Sequence, residues 1–95
     1  MRWTWDSNKD RANKRKHGLS FETAQLVFDD PLAISRLDQV SAEDRWQTVG
    51  LIGHLAVIVV HTWPDTRSDS EGVGRIISAR KATRHERRAY EEGSF

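Results

Sequence analysis

Polar and apolar residues alternate along several stretches of the chain, and the period of each stretch predicts an element. Arg2–Trp5 alternates polar and aromatic residues, which suits a short edge strand. Asp6 then stands as the cap of a helix that runs to about His17, where Gly18 supplies a left-handed stop. That helix holds a single apolar residue, Ala12, so no apolar stripe docks it. It must lean on Trp3 or Trp5, or on its own Lys and Arg stems. Ser20 caps a second helix, Phe21 to Phe28, with Phe21, Ala24 and Phe28 at helical spacing and Leu26 and Val27 widening the flank. Asp29, Asp30 and Pro31 end it.

Four strand signals follow. Leu32–Leu37 is the first and Trp46–Ile52 the second, with Gly53 and His54 as a tight turn. Leu55–Trp63 is the third. Its Leu55–Val60 portion is apolar on both faces, which places it centrally in a sheet. Pro64 ends it, and Asp65–Gly74 reads as a polar loop. Arg75–Arg80 is the fourth strand. Thr83 and Glu86 then form a capping box for a last helix that reaches about Glu92, stopped by Gly93. Strands and helices do not alternate, so the order predicts an α+β fold in one domain over residues 1–95. Its expected parts are two N-terminal helices, a four-stranded antiparallel meander and a C-terminal helix. The helices are expected on one face of the sheet, and Arg2–Trp5 is an optional extra edge strand.

Composition narrows the chemistry. With 95 residues, 37% hydrophobic and 31% charged, the chain buries one modest core and exposes a large polar surface. It has no Cys, which excludes a disulfide framework, a thiolate metal site and a Cys nucleophile, and which fits a cytoplasmic setting. Met1–Asp6 lacks the apolar run of a secretory signal. Leu51–Val60, broken by Gly53 and His54, falls well short of the roughly 20 residues that span a bilayer, so no membrane role is expected. The net charge of +1 hides an asymmetry: +3 over residues 1–28, −5 over 29–71 and +3 over 72–95. Basic ends with an acidic middle suit a polyanion partner and a second partner of different charge; solvated helices rich in Lys and Arg account for the same numbers.

The fourth strand carries the most chemistry. Strict alternation sends Ile77 and Ala79 to one face, and Ile76, Ser78 and Arg80 to the other. Arg80 and Lys81 stand just before a helix N-terminus, where free N–H groups favour phosphate and a planar guanidinium grips two phosphate oxygens. The same Arg paired with an acid of the middle segment is the structural alternative, and spacing favours neither. The last helix presents Arg84, Arg87 and Arg88 with Tyr90, either as the wall of an RNA groove or as a surface helix held by Glu–Arg pairs. Lys14 and Lys16, within a basic run ending at His17, are phosphate-steering candidates on an otherwise ordinary helix end. Of the four His, only His61, at the end of the central strand, is placed to act as a base, and a structural role fits it as well. No metal-ligand spacing, Ser–His–Asp order or phosphate-binding loop is present, so neither a metal nor a cofactor is expected. Trp3, Trp5, Trp46 and Trp63 serve either as base-stacking platforms or as core.

These residues resemble the BrnT family, the toxins of the BrnT–BrnA type II toxin–antitoxin systems. The likeness rests on Trp5 and Asp6 with Lys9, Asn13 and Lys16-His17-Gly18, and on Phe21, Ala24, Val27, Phe28 and Asp30. It continues through Arg45 and Gly50 to the string Arg75-Ile76-Ile77-Ser78-Ala79-Arg80-Lys81-Ala82-Thr83, with Glu86, Arg87, Tyr90 and Glu91. The resemblance implies a RelE-like fold and a ribonuclease that halts translation. It also implies neutralisation by a BrnA-like, DNA-binding antitoxin, the pair repressing its own operon at operator DNA. Cleavage without metal is implied too: the ribose 2′-OH attacks the adjacent phosphate, Arg80 stabilises the charge, and Tyr90 or Arg87 assists. The chain departs from the family where an Arg is expected directly after the third strand. His61-Thr62-Trp63-Pro64 intervenes and Arg67 lies farther out, so His61 gains weight and Arg67 loses it. The rival reading is a non-catalytic module whose basic ends only hold a protein or nucleic acid.

Overall fold

A computed structural model describes residues 2–38, 44–63 and 72–95. The α+β expectation holds, with differences in strand count and helix placement. Five strands form one sheet: β1 (Arg2–Thr4), β2 (Ile34–Leu37), β3 (Trp46–Ile52), β4 (Leu55–His61) and β5 (Val73–Lys81), in the order β1-β5-β4-β3-β2. The helices are α1 (Ser7–His17), α2 (Phe21–Ala24) and α3 (Arg84–Glu92). The expected second helix is shorter than its pattern, because α2 tightens into a 3₁₀ turn over Gln25–Asp29. That turn tucks Val27 inward against Gly50, where any added Cβ would stand 3.0 Å from the Val27 side chain.

The caps fall where the sequence sets them. The Asp6 side chain accepts from the N–H groups of Asn8 and Lys9, and Gly18 closes α1 at a φ of 71°. Ser20 accepts from Thr23 N–H, and Thr83 and Glu86 complete the reciprocal box at the start of α3. β2 to β5 form the expected antiparallel meander, whereas β1 joins β5 in parallel, Arg2 opposite Val73 and Thr4 opposite Arg75.

The expectation of helices on one face is corrected. Leu19, Phe21, Ala24 and Val27 pack with Val57, Val59, Ile76 and Ala79 on one side of the sheet. On the other side Tyr90 of α3 packs with Val49 and Ile58. The physical reason is the double-sided apolar character of β4: Ile58 points away from Val57 and Val59 and needs its own cover.

The expected alternation along β5 is corrected as well. A bulge shifts the register, so Val60 pairs with Ser78 but His61 with Ile76. Ile77 is the extra residue. Ile76 and Ala79 therefore share one core face instead of opposing each other.

The polar helix α1 is held by an amide. The buried Asn13 side chain donates to Ala79 O at 2.9 Å and to Leu19 O at 3.0 Å, and accepts from Ala79 N–H at 3.1 Å. It thereby completes the β5 edge beyond the point where β1 stops.

Candidate functional site

The face that α3 covers is covered only in part. Across it run two rows of paired residues. Ile34, Val49, Ile58 and Arg80 form one, beneath Tyr90; Arg36, Gln47, Val60 and Ser78 form the next. The second row has no buried member: Arg36 is exposed and the other three are half-buried. At about 4.8 Å between strands, this open floor is roughly 14 Å across from Arg36 to Ser78. Arg36 is fixed at its outer end, with Nε donating to Gln47 Oε1 at 2.9 Å and its guanidinium 4.0 Å from the centre of the Phe95 ring.

Arg80 stands beside that floor, two residues along β5 from Ser78. Its guanidinium donates to both carboxylate oxygens of Glu86, at 2.7 and 2.9 Å, and to Lys81 O at 3.2 Å. The pair raises the Arg80 pKa and, chiefly through its hydrogen bonds, holds Glu86 down to about 2. The acid that pairs with Arg80 thus comes from α3, not from the acidic middle segment. The same carboxylate accepts from Thr83 N–H at 2.8 Å, so one group closes the helix cap and clamps the strand-end cation. Arg80 is nonetheless 40% exposed while Glu86 is 13% exposed. Among the described residues, three of its five N–H donors find partners, which leaves two for a ligand. Lys81 and Arg84, both exposed, flank it. A fixed guanidinium with two neighbouring cations beside a shallow polar floor can hold a phosphodiester and balance added negative charge on it.

The other predicted residues are distributed elsewhere. His61 is fully buried on the opposite face of the sheet, beside the stacked Trp3 and Phe28 rings and the edge of Trp63. Its Nδ1 lies 3.1 Å from Thr62 O, which only accepts, so Nδ1 carries the proton. Nε2 then accepts from the Thr48 hydroxyl at 2.6 Å, and Thr48 from the Ser35 hydroxyl at 2.7 Å. Burial pushes the His61 pKa down to about 4. This position gives it no contact with an RNA backbone and takes it out of the proposed catalytic set. Three of the four Trp, Trp3, Trp46 and Trp63, are engaged with one another around it.

Tyr90 lies under α3. Its hydroxyl donates to Asp30 Oδ2 at 2.5 Å, and that bond together with burial pushes its pKa up to about 12. Burial works against the Asp30 carboxylate. The donors from Tyr90, Leu51 N–H and Leu32 N–H outweigh burial and hold the Asp30 pKa below its ordinary value. Arg87 turns to Glu91 and to His54 O, at the end of the sheet away from the open floor. Arg88 lines a small pocket of about 200 Å³ with His85, Ala89, Glu92 and Ser94. Lys14 and Lys16 lie on α1, apart from the junction of β5 and α3. Arg67 lies outside the described residues. Among the described residues, no three of His, Asp and Glu gather to hold a metal ion, and no helix is long and apolar enough to cross a membrane.

A family model described as "Ribonuclease toxin, BrnT, of type II toxin-antitoxin system" matches residues 5–86. The chain belongs to the BrnT toxin family. Membership in this type II system implies an antitoxin partner for it. No curated protein matches the chain. The BrnT match includes the whole of β5 and the Arg80–Glu86 clamp, whereas Arg87, Arg88 and Tyr90 fall beyond its end.

Nothing local in the sequence marks Arg36 or Gln47. A lone Arg in a four-residue strand carries no motif. The one available signal was parity: Arg36 shares its face with Ile34, and the sheet pairing places Ile34 in the row of Arg80 and Arg36 in the next.

Proposed function

We propose that this BrnT-family toxin is an endoribonuclease that cleaves RNA without metal, at the cationic junction of β5 and α3. The reading is supported above all by Arg80, held by Glu86 yet 40% exposed, beside the partly exposed row of Arg36, Gln47, Val60 and Ser78. In the reaction the ribose 2′-oxygen bonds to the adjacent phosphorus and the bond from phosphorus to the 5′-oxygen breaks. The 2′-OH loses its proton and the departing 5′-oxygen gains one. The products are a 2′,3′-cyclic phosphate and a 5′-hydroxyl. Glu86, held down to about 2, is a weak proton acceptor. The contribution of this chain is therefore charge stabilisation by Arg80, with Lys81 and Arg84 holding flanking phosphates. Tyr90 acts through position, since its hydroxyl is engaged by Asp30 and its ring seats α3. Arg87, Arg88, Lys14 and Lys16 serve as outer phosphate contacts.

The partner in this reading is a BrnA-like antitoxin that covers the junction with acidic side chains and brings the complex to operator DNA, in the cytoplasm. A second reading has one observation in its favour. The clamp leaves Arg80 largely satisfied by Glu86, as a purely structural ion pair would be. Expression of the chain and of Arg80→Ala separates the two. The wild type is expected to arrest growth and to cut RNA in the presence of EDTA. Arg80→Ala is expected to stay folded and lose about 10²-fold or more in cleavage rate. A harmless wild type that leaves RNA intact makes the chain a binding module.

A further inference from the structure

The β5 bulge has a second consequence, on the far side of Ser78. Where Ile77 is displaced from the ladder, a pocket of about 250 Å³ opens between β5 and α1. Lys9, Asn13, Lys16 and His17 border it from the helix, at the spacing of one helical face, and Ile77 and Ser78 from the strand. Lys9 and Lys16 are exposed, and no carboxylate is among the lining residues. The acids of α1 and its cap are occupied. Asp6 caps α1, and Asp10 accepts from Phe21 N–H at 2.8 Å. Asn13, the polar group at the pocket floor, is spent on Ala79 and Leu19, which fixes the wall between the cations.

Ser78 belongs both to this pocket and to the open row beside Arg80. A strand of nucleic acid lying across Val60 and Ser78 passes over the β5 edge directly into the pocket. We infer that the Lys9–Lys16–His17 pocket binds a backbone phosphodiester of single-stranded RNA, as an accessory site that holds the strand next to the bond positioned at Arg80. The inference rests on the nuclease reading for the direction of the strand. Its charge and shape stand on the pocket alone. A duplex presents the same phosphodiesters on a rigid rod, which does not bend over a sheet edge into a recess between helix and strand.

The test uses the full chain, a 12-nucleotide RNA carrying 2′-O-methyl groups throughout, which lacks the attacking hydroxyl, and a 12-base-pair DNA duplex. Lys9→Gln with Lys16→Gln keeps good helix formers at two exposed positions. The double variant is expected to weaken single-stranded binding by about tenfold near 0.1 M salt. The slope of log affinity against log salt should fall by about 1.4, that of two released phosphate contacts. Ala12→Glu, which fills the pocket with a negative side chain, is expected to weaken binding at least as much. Duplex binding should change little in either variant. An unchanged single-strand slope in the double variant overturns the inference, as does a loss confined to the duplex. Cleavage of unmodified RNA by the wild type is measured alongside: if it fails while the slope still falls by the stated amount, the nuclease reading is lost and the pocket stands.

Discussion

Protonation of His61 is the clearest perturbation the structure offers. The ring is fully buried, its Nδ1–H committed to Thr62 O and its Nε2 to Thr48. Folding lowers its pKa from 6.5 to about 4 because the charged ring finds little water and the aromatic neighbours offer no counter-charge. A proton therefore binds the unfolded chain from pH 6.5 downward, but the folded chain only near 4. Between those values the unfolded state holds more protons, so stability rises with pH across this window. It is complete above 6.5 and is lost as the pH falls toward 4. At 1.36 kcal/mol per pH unit the whole window is worth at most about 3 kcal/mol, and about 2 kcal/mol between pH 7 and pH 5. That is a sizeable part of the roughly 5–15 kcal/mol by which a domain is stable. Urea unfolding followed by Trp fluorescence at pH 7 and pH 5 measures it, since Trp3 and Trp63 contact the ring and Trp46 contacts Trp63. His61→Gln is expected to be less stable at pH 7 and to lose most of this pH dependence. Two results refute the reasoning: an identical slope in the variant, or a His61 ring that titrates near 6.5 by NMR in the folded chain. The second would restore His61 as a candidate base.

Further outcomes follow from the same contacts. Asn13→Ala leaves Ala79 N–H and two carbonyls without partners in a dry place and is expected to cost about 2–3 kcal/mol in urea unfolding, with α1 the first segment to lose amide-exchange protection. Glu86→Gln removes the charge from the Arg80 clamp; because Arg80 is 40% exposed, the expected loss at pH 7 is only about 1–2 kcal/mol. The lowered Glu86 pKa stabilises the fold above about 4.5 and that stability drains as the pH falls toward 2, so the variant should lose this acid-limb dependence in a denaturation series. Tyr90→Phe drops the hydroxyl that Asp30 accepts; a stability loss of about 1 kcal/mol with RNA cleavage retained is expected, and a cleavage defect as deep as that of Arg80→Ala would make Tyr90 a catalytic residue.

Much of this architecture was legible because local chemistry dictates it. Caps are read within four residues, and Asp6, Gly18, Ser20, Thr83 with Glu86, and Gly93 all act where their positions in the sequence say. The strands β3 and β4 and the turn at Gly53 follow from period and length alone. What failed required knowledge of neighbours. The apolar run in β4 announced two buried faces, and Tyr90 offered α3 the apolar bulk to dock, yet nothing local placed it on the face opposite the other helices. The bulge at Ile77 is invisible because the residues around it keep the strand period; only pairing with His61 exposes the extra residue. Asn13 looked like one more polar residue of a solvated helix until Ala79, 66 positions later, came to lie against it. At the candidate site the strand-end Arg and the capping Glu were both visible. Their bond to each other was not, since a capping box does not reveal what else its carboxylate holds.

In the proposed nuclease, that shared carboxylate decides how Arg80 works. A free Arg at a strand end has about 2 kcal/mol of rotamer freedom to lose before it grips a phosphate. Glu86 and Lys81 O remove that freedom in advance and aim the guanidinium. A negative partner also reduces the field an incoming phosphate feels, so the clamp trades ground-state attraction for fixed geometry. Two N–H donors stay open, and they allow a phosphate to join Arg80 without evicting Glu86. Lys81 and Arg84 restore the positive field that Glu86 takes away. A weakly attracted ground state met by a rigid donor is what differential stabilisation of a transition state needs, because the donor gains most where charge on the phosphate oxygens is greatest. The same fixed cation, surrounded by exposed basic side chains, is also what an acidic antitoxin segment would recognise. In the proposed reading one clamp therefore serves both cleavage and its suppression.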